Sequence, residues 1–281
     1  MPEYSGPTVN LASGAVMPQL GFGVWRVDDD GAEASVAVAL DDGYRSIDTA
    51  SLYRNEPGVG RALRAAADRG IATEEVFLTT KLGNPDQGYD TALRAFDASA
   101  SRLGVDVIDL YLIHWPRPKI DLYVDSWRAL IRLRDEGRVR SIGVSNFEPE
   151  HLDRLIAETG ETPSINQVEL HPYFQQRALR EYHAGHGIVT EAWAPLGANR
   201  TGLLDDPAIV GVAQRHGITP AQTILAWHLA REIVAIPKSV TPSRIAENLA
   251  AQDVSLTAED LETIDRLDRE QRTGSAPTDV N

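Results

Sequence analysis

The chain of 281 residues contains no cysteine. Disulfide bonds, thiolate nucleophiles, zinc fingers and iron–sulfur clusters held by cysteine are therefore excluded. Positive charge is also scarce, because 27 Lys and Arg residues stand against 41 Asp and Glu residues and give a formal net charge of −14. Nucleic acids and anionic membranes require a basic protein face, so we expect neither as a partner.

Long hydrophobic runs are missing as well. No window approaches the ~18 uninterrupted apolar residues that indicate a bilayer-spanning helix. Residues 1–7 lack the basic stretch followed by an apolar run that is typical of a secretory signal. We therefore expect a cytoplasmic protein, and its acidic surface favours a monomer.

Short apolar runs alternate with Ala-rich amphipathic stretches along the chain. The apolar runs predict strands over 20–25, 44–49, 76–81, 108–114, 139–145, 164–169, 188–194 and 233–237. The stretches between them predict helices near 30–42, 56–69, 88–103, 121–136, 149–159, 175–186, 220–231 and 242–250. Eight consecutive strand–helix units favour the α/β class and a (β/α)8 TIM barrel, with a doubly wound open sheet as the alternative.

Four further segments lie outside these units, and the absence of a linker predicts that residues 1–281 form a single domain. In one of them, Thr257 and Asp260 have the spacing of a helix capping box. The segments are an N-terminal hairpin over 8–18, a short extra helix within 202–216, a capped acidic helix over 257–268 and a polar C-terminal tail over 269–281 that we expect to be mobile.

Single ionisable residues stand at the ends of three consecutive predicted strands, namely Asp48, Lys81 and His114, and Tyr53 follows in a loop. The carboxyl ends of barrel strands carry the chemistry in such folds. A phenol titrates near ~10, so Tyr53 needs a cation to act as an acid, and Lys81 held by Asp48 could supply it. With His114 donating a hydrogen bond, the set would protonate a carbonyl oxygen while a cofactor hydride attacks the carbon.

A cationic segment follows the last predicted strand. Lys238 and Arg244 flank the start of a helix, an arrangement that favours a phosphate site. Trp193, at the end of the preceding strand, could stack on a flat ring. Near the first strand, Gly21 and Gly23 begin a dinucleotide fingerprint that lacks its third glycine. We reject a Rossmann motif there and expect these glycines to let a ligand approach the backbone.

Five motifs, in order and at matching spacing, closely resemble those of the aldo-keto reductases. Within that family the chain is most similar to the bacterial 2,5-diketo-D-gluconate reductase branch, and the likeness runs from about residue 8 to the last helix. The motifs are Gly43–Ala50 with Tyr53 and 55–60, Asp109–Pro116, Gly143–Phe147, Asn166–Glu169 and Ile236–Ser239.

The resemblance implies that NADPH/NADP+ binds across the barrel mouth and that the substrate is a small carbonyl compound. It implies that Tyr53 is the general acid, that Asp48 and Lys81 activate it, and that His114 orients the substrate. Trp25 and Trp115 would line the substrate pocket with Tyr53 and His114. The implied cofactor contacts are Gly23, Val24, Ser145, Asn146, Gln167, Trp193, Pro195, Leu196, Gly197, Leu203, Ile236, Lys238, Ser239, Val240, Arg244, Glu247 and Asn248.

The chain departs from its relatives after Lys81. They commonly carry an aromatic residue where this sequence has Gly83, which removes one pocket wall or leaves room for a neighbouring side chain. The loop after His114 is short and the tail has little apolar content. These features predict an open, shallow site that suits small dicarbonyls or keto-sugars.

Two alternative functions remain open at this point. A metal-dependent barrel hydrolase would use the histidines and carboxylates of the chain, for which the candidates are His171, His183, His186, Asp48 and Glu169. An NADPH-binding sensor module of the same fold would keep the cofactor site without useful catalysis. We expect no metal in the favoured function.

Overall fold

The computed structural model describes residues 4–280 apart from the side chain of residue 199, and within them eight parallel strands pair in the order of the chain. The strands are β3 (Phe22–Gly23), β4 (Ser46–Asp48), β5 (Phe77–Leu82), β6 (Ile108–Ile113), β7 (Val139–Ser145), β8 (Ile165–Glu169), β9 (Val189–Trp193) and β10 (Val234–Ile236). An antiparallel hairpin of β1 (Thr8–Asn10) and β2 (Val16–Pro18) precedes them. The predicted hairpin and parallel barrel are confirmed.

Helices follow the strands and surround them. They are α1 (Asp29–Asp42), α2 (Glu56–Asp68), α3 (Tyr89–Leu103), α4 (Tyr123–Asp135), α5 (Pro149–Thr159), α6 (Arg177–His186), α7 (Pro207–His216), α8 (Pro220–Ala230), α9 (Pro242–Leu249) and α10 (Ala258–Asp265). The predicted capping box of α10 is present, because Thr257 Oγ1 accepts from the Asp260 amide and the Asp260 carboxylate accepts from the Thr257 amide. Across residues 4–280, no helix is long and apolar enough to cross a bilayer.

Hydrogen bonds between the first and last strand regions close the barrel. The Ala235 amide donates to Gln19 O (2.9 Å), and the Gly21 amide donates to Ala235 O (3.0 Å). A β-carbon on Gly21 or Gly23 would lie 2.5 or 2.8 Å from the Ile236 side chain. The Ile236 side chain fills the space where a side chain at Gly21 or Gly23 would stand, so these glycines let the sheet close. The prediction that a ligand approaches their backbone stays a prediction.

The hairpin packs against the amino-terminal end of the barrel interior. Leu11 and Met17 join an apolar cluster with inward residues of the strands, which are Phe77, Leu110, Leu112, Ile165, Val234 and Ile236. The hydroxyls of Ser13 and Ser141 lie 2.6 Å apart at the same end. Because side chains alternate along a strand, residues two and four positions further on line the interior towards the opposite, carboxyl end.

The helical segment predicted within 202–216 has two parts. A single 3-10 turn spans Leu203–Asp205, and α7 begins at Pro207. Asp206 separates them as the N-cap, its carboxylate accepting from the Ala208 amide at 2.8 Å. A proline at the first helical position and an aspartate before it together fix where the helix starts.

The C-terminal tail lies across the carboxyl end of the barrel rather than free of it. Glu169 Oε1 accepts from the amide and hydroxyl of Thr273 (both 2.5 Å), and Glu169 Oε2 accepts from the Gly274 amide (2.9 Å). The Arg272 guanidinium lies 4.5 Å from the centre of the Phe174 ring. The tail is polar, as the sequence indicates, and hydrogen bonds to a buried carboxylate, not apolar side chains, attach it to the barrel.

Candidate active site

Tyr53 is placed by the loop that follows β4. Two residues separate the end of the strand at Asp48 from a single 3-10 turn, Ser51–Tyr53. Asn55 Nδ2 then donates to two backbone carbonyls of the β3–α1 loop (both 2.9 Å), and its Oδ1 accepts from the Thr49 hydroxyl (2.7 Å). These bonds fix both ends of the turn and hold Tyr53 at the barrel mouth.

The four predicted catalytic residues come together there. Lys81 is fully buried, and its Nζ donates to Asp48 Oδ1 at 2.6 Å and to the Thr49 carbonyl at 3.1 Å. The same Nζ lies 3.5 Å from the Tyr53 hydroxyl. The His114 ring meets the Tyr53 ring edge to face, with 5.6 Å between their centres. A buried cation therefore stands beside a phenol and an imidazole.

Burial and neighbouring charge act in opposite senses on the pKa values of Lys81 and Tyr53, and in the same sense on that of His114. Burial lowers the pKa of Lys81, but Asp48 and Tyr53 outweigh it and hold the pKa above its ordinary value. Burial and the Lys81 charge keep the pKa of His114 well below its ordinary value, so its ring is neutral. Burial raises the pKa of Tyr53 more than Lys81 lowers it. Burial therefore has the larger effect on the pKa of Tyr53, and the Lys81 charge opposes it, in the sense that the sequence predicts for this cation.

Polar residues of three neighbouring strand ends continue the cluster. Gln167 Nε2 donates to Asp48 Oδ2 (2.9 Å), and the backbone carbonyl of Gln167 accepts from Ser145 Oγ (2.8 Å). Asn146 Nδ2 donates to Ser145 Oγ (2.9 Å), and Asn146 Oδ1 accepts from Trp193 Nε1 (2.8 Å). One chain of hydrogen bonds thus runs from the Lys81–Asp48 pair to the half-buried indole and fixes its orientation.

The predicted cationic segment lies between β10 and α9. Lys238 and Arg244 are exposed, and neither side chain has an ion-pair or hydrogen-bond partner within the described part of the chain. Ser239 is buried, and its hydroxyl accepts from the Thr241 amide at 3.1 Å just before α9 begins. Glu247 is engaged elsewhere, because its Oε1 accepts from the Thr219 hydroxyl (2.7 Å). Of the remaining predicted positions in this segment, Val240 is exposed and Asn248 and Ile236 are buried.

The loop after β9 holds four of the predicted cofactor contacts. Pro195 and Gly197 are buried, Leu196 is half-buried, and Leu203 packs in the apolar cluster beneath the loop. Gly197 has φ +70°, a conformation that favours glycine. Near β3, Val24 is fully buried and its carbonyl accepts from Asn55.

Aromatic and apolar side chains surround the mouth near Tyr53. Trp25 is 45% exposed, with the Arg26 guanidinium 4.4 Å from its ring centre. The Trp115 carbonyl accepts from Gln87 Nε2 at 2.7 Å. A β-carbon on Gly83 would lie 3.3 Å from Leu52 Cδ2. Asp86 Oδ2 and Ser51 Oγ would be nearer still, both at 2.9 Å, so three side chains stand close around Gly83.

The tail changes the shape expected for the site. Gly274 lies against the Trp193 indole, so the mouth is covered on the β8–β9 side instead of being open and shallow. Two carboxyl side chains, those of Glu169 and Glu191, are buried at this side, and the carbonyl reductase predicted from the sequence gave neither of them a role. The signal that could have marked them is their inward register, because each lies two residues from an inward residue of its own strand, Gln167 or Trp193.

The residues of the hydrolase alternative do not form a metal site. His183 is buried between Asn166 Nδ2 (3.0 Å) and Thr190 Oγ1 (2.9 Å), and His186 stacks on Tyr182. His171 lies 3.2 Å from Glu169. Among residues 4–280, no group of three or more such side chains could hold a metal ion. The alternative therefore lacks a ligand set.

The closed barrel and the Tyr–Lys–Asp–His cluster at its carboxyl end define an oxidoreductase built on a TIM barrel. Residues 17–269 match the model of the aldo/keto reductase family. A Mycolicibacterium smegmatis protein named aldo-keto reductase is 52% identical over 275 residues, which are 98% of each chain. The chain belongs to the aldo/keto reductase family.

Two further similarities bear on what this chain does. Methylglyoxal reductase DkgA of Salmonella typhimurium is 51% identical over 97% of this chain and 98% of its own. The crystal structure of a Gox0644 mutant in complex with NADPH has a TM-score of 0.92 and 48% identity, covering 97% of this chain and 98% of that one.

Proposed function

We propose that this chain, as a single barrel domain, reduces small aldehydes and ketones to alcohols with NADPH, and that Tyr53 is the general acid. The observation that carries the proposal is the buried Lys81–Asp48 pair with the Tyr53 hydroxyl 3.5 Å from Lys81 Nζ. A phenol inside a protein gives up a proton only if a nearby cation stabilises the phenolate, and Lys81 is that cation.

Each residue of the cluster has a distinct part in the reaction. Tyr53 donates its proton to the carbonyl oxygen, and Lys81 stabilises the phenolate that remains. Asp48 keeps Lys81 charged and fixes its position. Neutral His114 has one ring N–H, which donates a hydrogen bond to the carbonyl oxygen and orients the substrate.

The residues present suit NADPH. The Trp193 indole, held by Asn146, offers a flat apolar surface for a nicotinamide ring, and Ser145, Asn146 and Gln167 offer polar groups beside it. Lys238 and Arg244 are exposed cations without partners in residues 4–280, as a 2′-phosphate site requires. When bound, NADPH supplies the hydride. We also propose that the other cofactor contacts predicted from the sequence, which lie near β3, in the loop after β9 and around the start of α9, bind NADPH.

A small dicarbonyl is the substrate class that we favour. The relative named methylglyoxal reductase supports it, and the tail over Trp193 limits the room for a large substrate. The net charge of −14 supports a monomer in the cytoplasm that binds neither nucleic acid nor membranes.

The test is NADPH oxidation, followed optically, against small aldehydes, diketones and keto-sugars with wild type and Tyr53→Phe. Tyr53→Phe removes the acidic proton but keeps the ring, so we expect turnover to fall at least 100-fold, on the order of a general acid's contribution, with NADPH affinity almost unchanged. Tyr123→Phe, a matched change on α4, should leave turnover intact. Equal turnover of Tyr53→Phe and wild type would refute the role of Tyr53, and a wild type that binds NADPH but oxidises it with no carbonyl would favour the sensor alternative.

A further inference from the structure

Glu191 is a carboxyl group inside the barrel that the proposed mechanism does not use. It lies on β9 between Val189, which packs against the interior apolar cluster, and Trp193 at the rim. Its side chain is fully buried, and neither carboxyl oxygen makes a hydrogen bond of normal geometry to the described residues, although the Gln167 amide lies near enough to act on its charge. An ionised carboxylate in such a place lacks the hydrogen bonds that normally offset its burial.

The carboxyl lies next to a residue of the catalytic cluster in the sheet. Gln167 is the residue paired with Glu191 across β8 and β9, and its amide nitrogen is already committed to Asp48. On the other side, the residue paired with it on β10 is the apolar Val234. The titratable groups whose charges couple with Glu191 are Asp48 of β4, Lys81 of β5 and Tyr53 of the turn after β4.

The protonation of Glu191 decides the net charge of this buried cluster. With Glu191 neutral, Lys81 and Asp48 balance and the sum is zero; with Glu191 ionised, the sum is −1. Burial, reinforced by the charge of Asp48, raises the pKa of Glu191 to about 8, against the opposing effects of Gln167 and Lys81. The carboxyl is therefore mostly protonated at neutral pH and ionises in mild alkali.

We propose that Glu191 is a positioning residue that sets the charge of the catalytic cluster and so tunes Tyr53 as an acid. The proposal rests on the function above, in which the Tyr53 O–H bond breaks and its proton goes to the carbonyl oxygen. A neutral Glu191 leaves Lys81 free to stabilise the resulting phenolate. An ionised Glu191 adds negative charge in the same water-poor interior, makes the phenolate harder to form and slows reduction.

The test is the pH dependence of kcat for carbonyl reduction in wild type and Glu191→Gln. Glutamine keeps the shape of the protonated side chain and cannot ionise. The protonated fraction of a group with pKa 8 falls about tenfold between pH 7 and pH 9, so the ratio of variant to wild-type kcat should rise about tenfold over that interval. Should Glu191→Gln not fold, Glu191→Leu is a second side chain that cannot ionise and carries the same expectation.

Asp109→Asn is the matched control. Asp109 is a half-buried acid on the outer face of β6, and burial raises its pKa too. Its carboxylate accepts from the Leu78 amide and pairs with Arg140, away from the cluster. This variant should keep the wild-type profile. A Glu191→Gln profile that falls with pH as the wild type does, in an active enzyme, overturns the role of Glu191.

A second readout needs no turnover. Infrared spectra of wild type should contain the carbonyl band of a buried, protonated carboxylic acid at pH 7, lost by pH 9 and absent from Glu191→Gln. If that band is missing at pH 7, Glu191 is ionised and the proposal is overturned whatever the activity. A wild type without activity would instead refute the proposed function, and the infrared titration would still report the state of Glu191.

Discussion

Gly274 of the tail lies so close to Trp193 of β9 that a β-carbon on residue 274 would stand 2.4 Å from the indole Cη2 atom. The same β-carbon would lie 3.1 Å from Glu169 Oε2, which accepts from the Gly274 amide. No side chain larger than hydrogen fits between the ring and the carboxylate. The tail and the proposed cofactor-stacking residue are therefore coupled by contact.

Gly274→Ala should push the tail away from the barrel mouth. Contacts below 3.0 Å force a shift, and the tail gives way because the barrel is more rigid. We expect trypsin to cleave after Arg272 about tenfold faster, which corresponds to about 1.4 kcal/mol of weakened docking, and KM for small carbonyls to rise. Ser275→Ala, at the exposed neighbour, is the control. Unchanged cleavage and KM in Gly274→Ala would contradict the coupling.

Glu169→Gln should release the tail by a different route. Burial would raise the pKa of Glu169, but bonds from His171, Thr273 and Gly274 outweigh it and hold the pKa below its ordinary value of 4.5. We expect a loss of about 1–3 kcal/mol in the free energy of unfolding, because an amide N–H would face the tail's donors. Urea denaturation, with tail cleavage by trypsin, measures both effects.

The pH dependence of that loss has a definite sign. A carboxyl whose folded pKa is depressed contributes stability above its unfolded pKa, 4.5 here, and loses it as the pH falls through the folded value. The difference between wild type and Glu169→Gln should therefore be full at pH 6 and shrink below pH 4. A difference that grows in acid would show that the carboxylate charge is not what holds the tail.

Asp48→Asn should separate the structural from the chemical role of the ion pair. Removing one partner leaves Lys81 buried without its counter-charge, which costs about 3–5 kcal/mol in unfolding free energy at pH 7. The double variant Asp48→Asn, Lys81→Met should regain much of that stability, since no charge is left uncompensated, while turnover stays lost. Urea unfolding and NADPH oxidation give the two readouts. A double variant less stable than the single one would contradict this account.

The barrel could be predicted because the hydrophobic periodicity of each segment and the order of strands and helices along the chain are enough to define it. Apolar runs alternating with helical stretches located the strands, and three consecutive strands ending in Asp48, Lys81 and His114 located the cluster. Such patterns can be recognised in short stretches of sequence, and the parallel topology then brings the strand ends together.

Other features depend on contacts between distant segments and leave no such pattern. The tail attaches through backbone amides to Glu169, more than a hundred positions earlier in the chain. The composition of the tail therefore gave no sign of this attachment. The packing of the Ile236 side chain against Gly21 and Gly23 could not be predicted either, because the side chain beside a glycine is decided by the neighbouring strand. The raised pKa of Tyr53 depends on how deeply the fold buries it.

Lys238→Ala and Arg244→Ala test the preference for NADPH over NADH. Both side chains are exposed and lack partners in the described residues, so their removal should leave the unfolding free energy almost unchanged. Each charge-assisted bond to a phosphate is worth about 1.5–3 kcal/mol, so we expect the Kd for NADPH to rise at least tenfold per variant and the Kd for NADH to change little. Quenching of tryptophan fluorescence on titration measures both constants.

Arg94→Ala, which removes an exposed cation on α3, is the control for net charge. Added salt should weaken NADPH binding most in wild type. If the affinities for NADPH and NADH fell equally, Lys238 and Arg244 would not form the 2′-phosphate site.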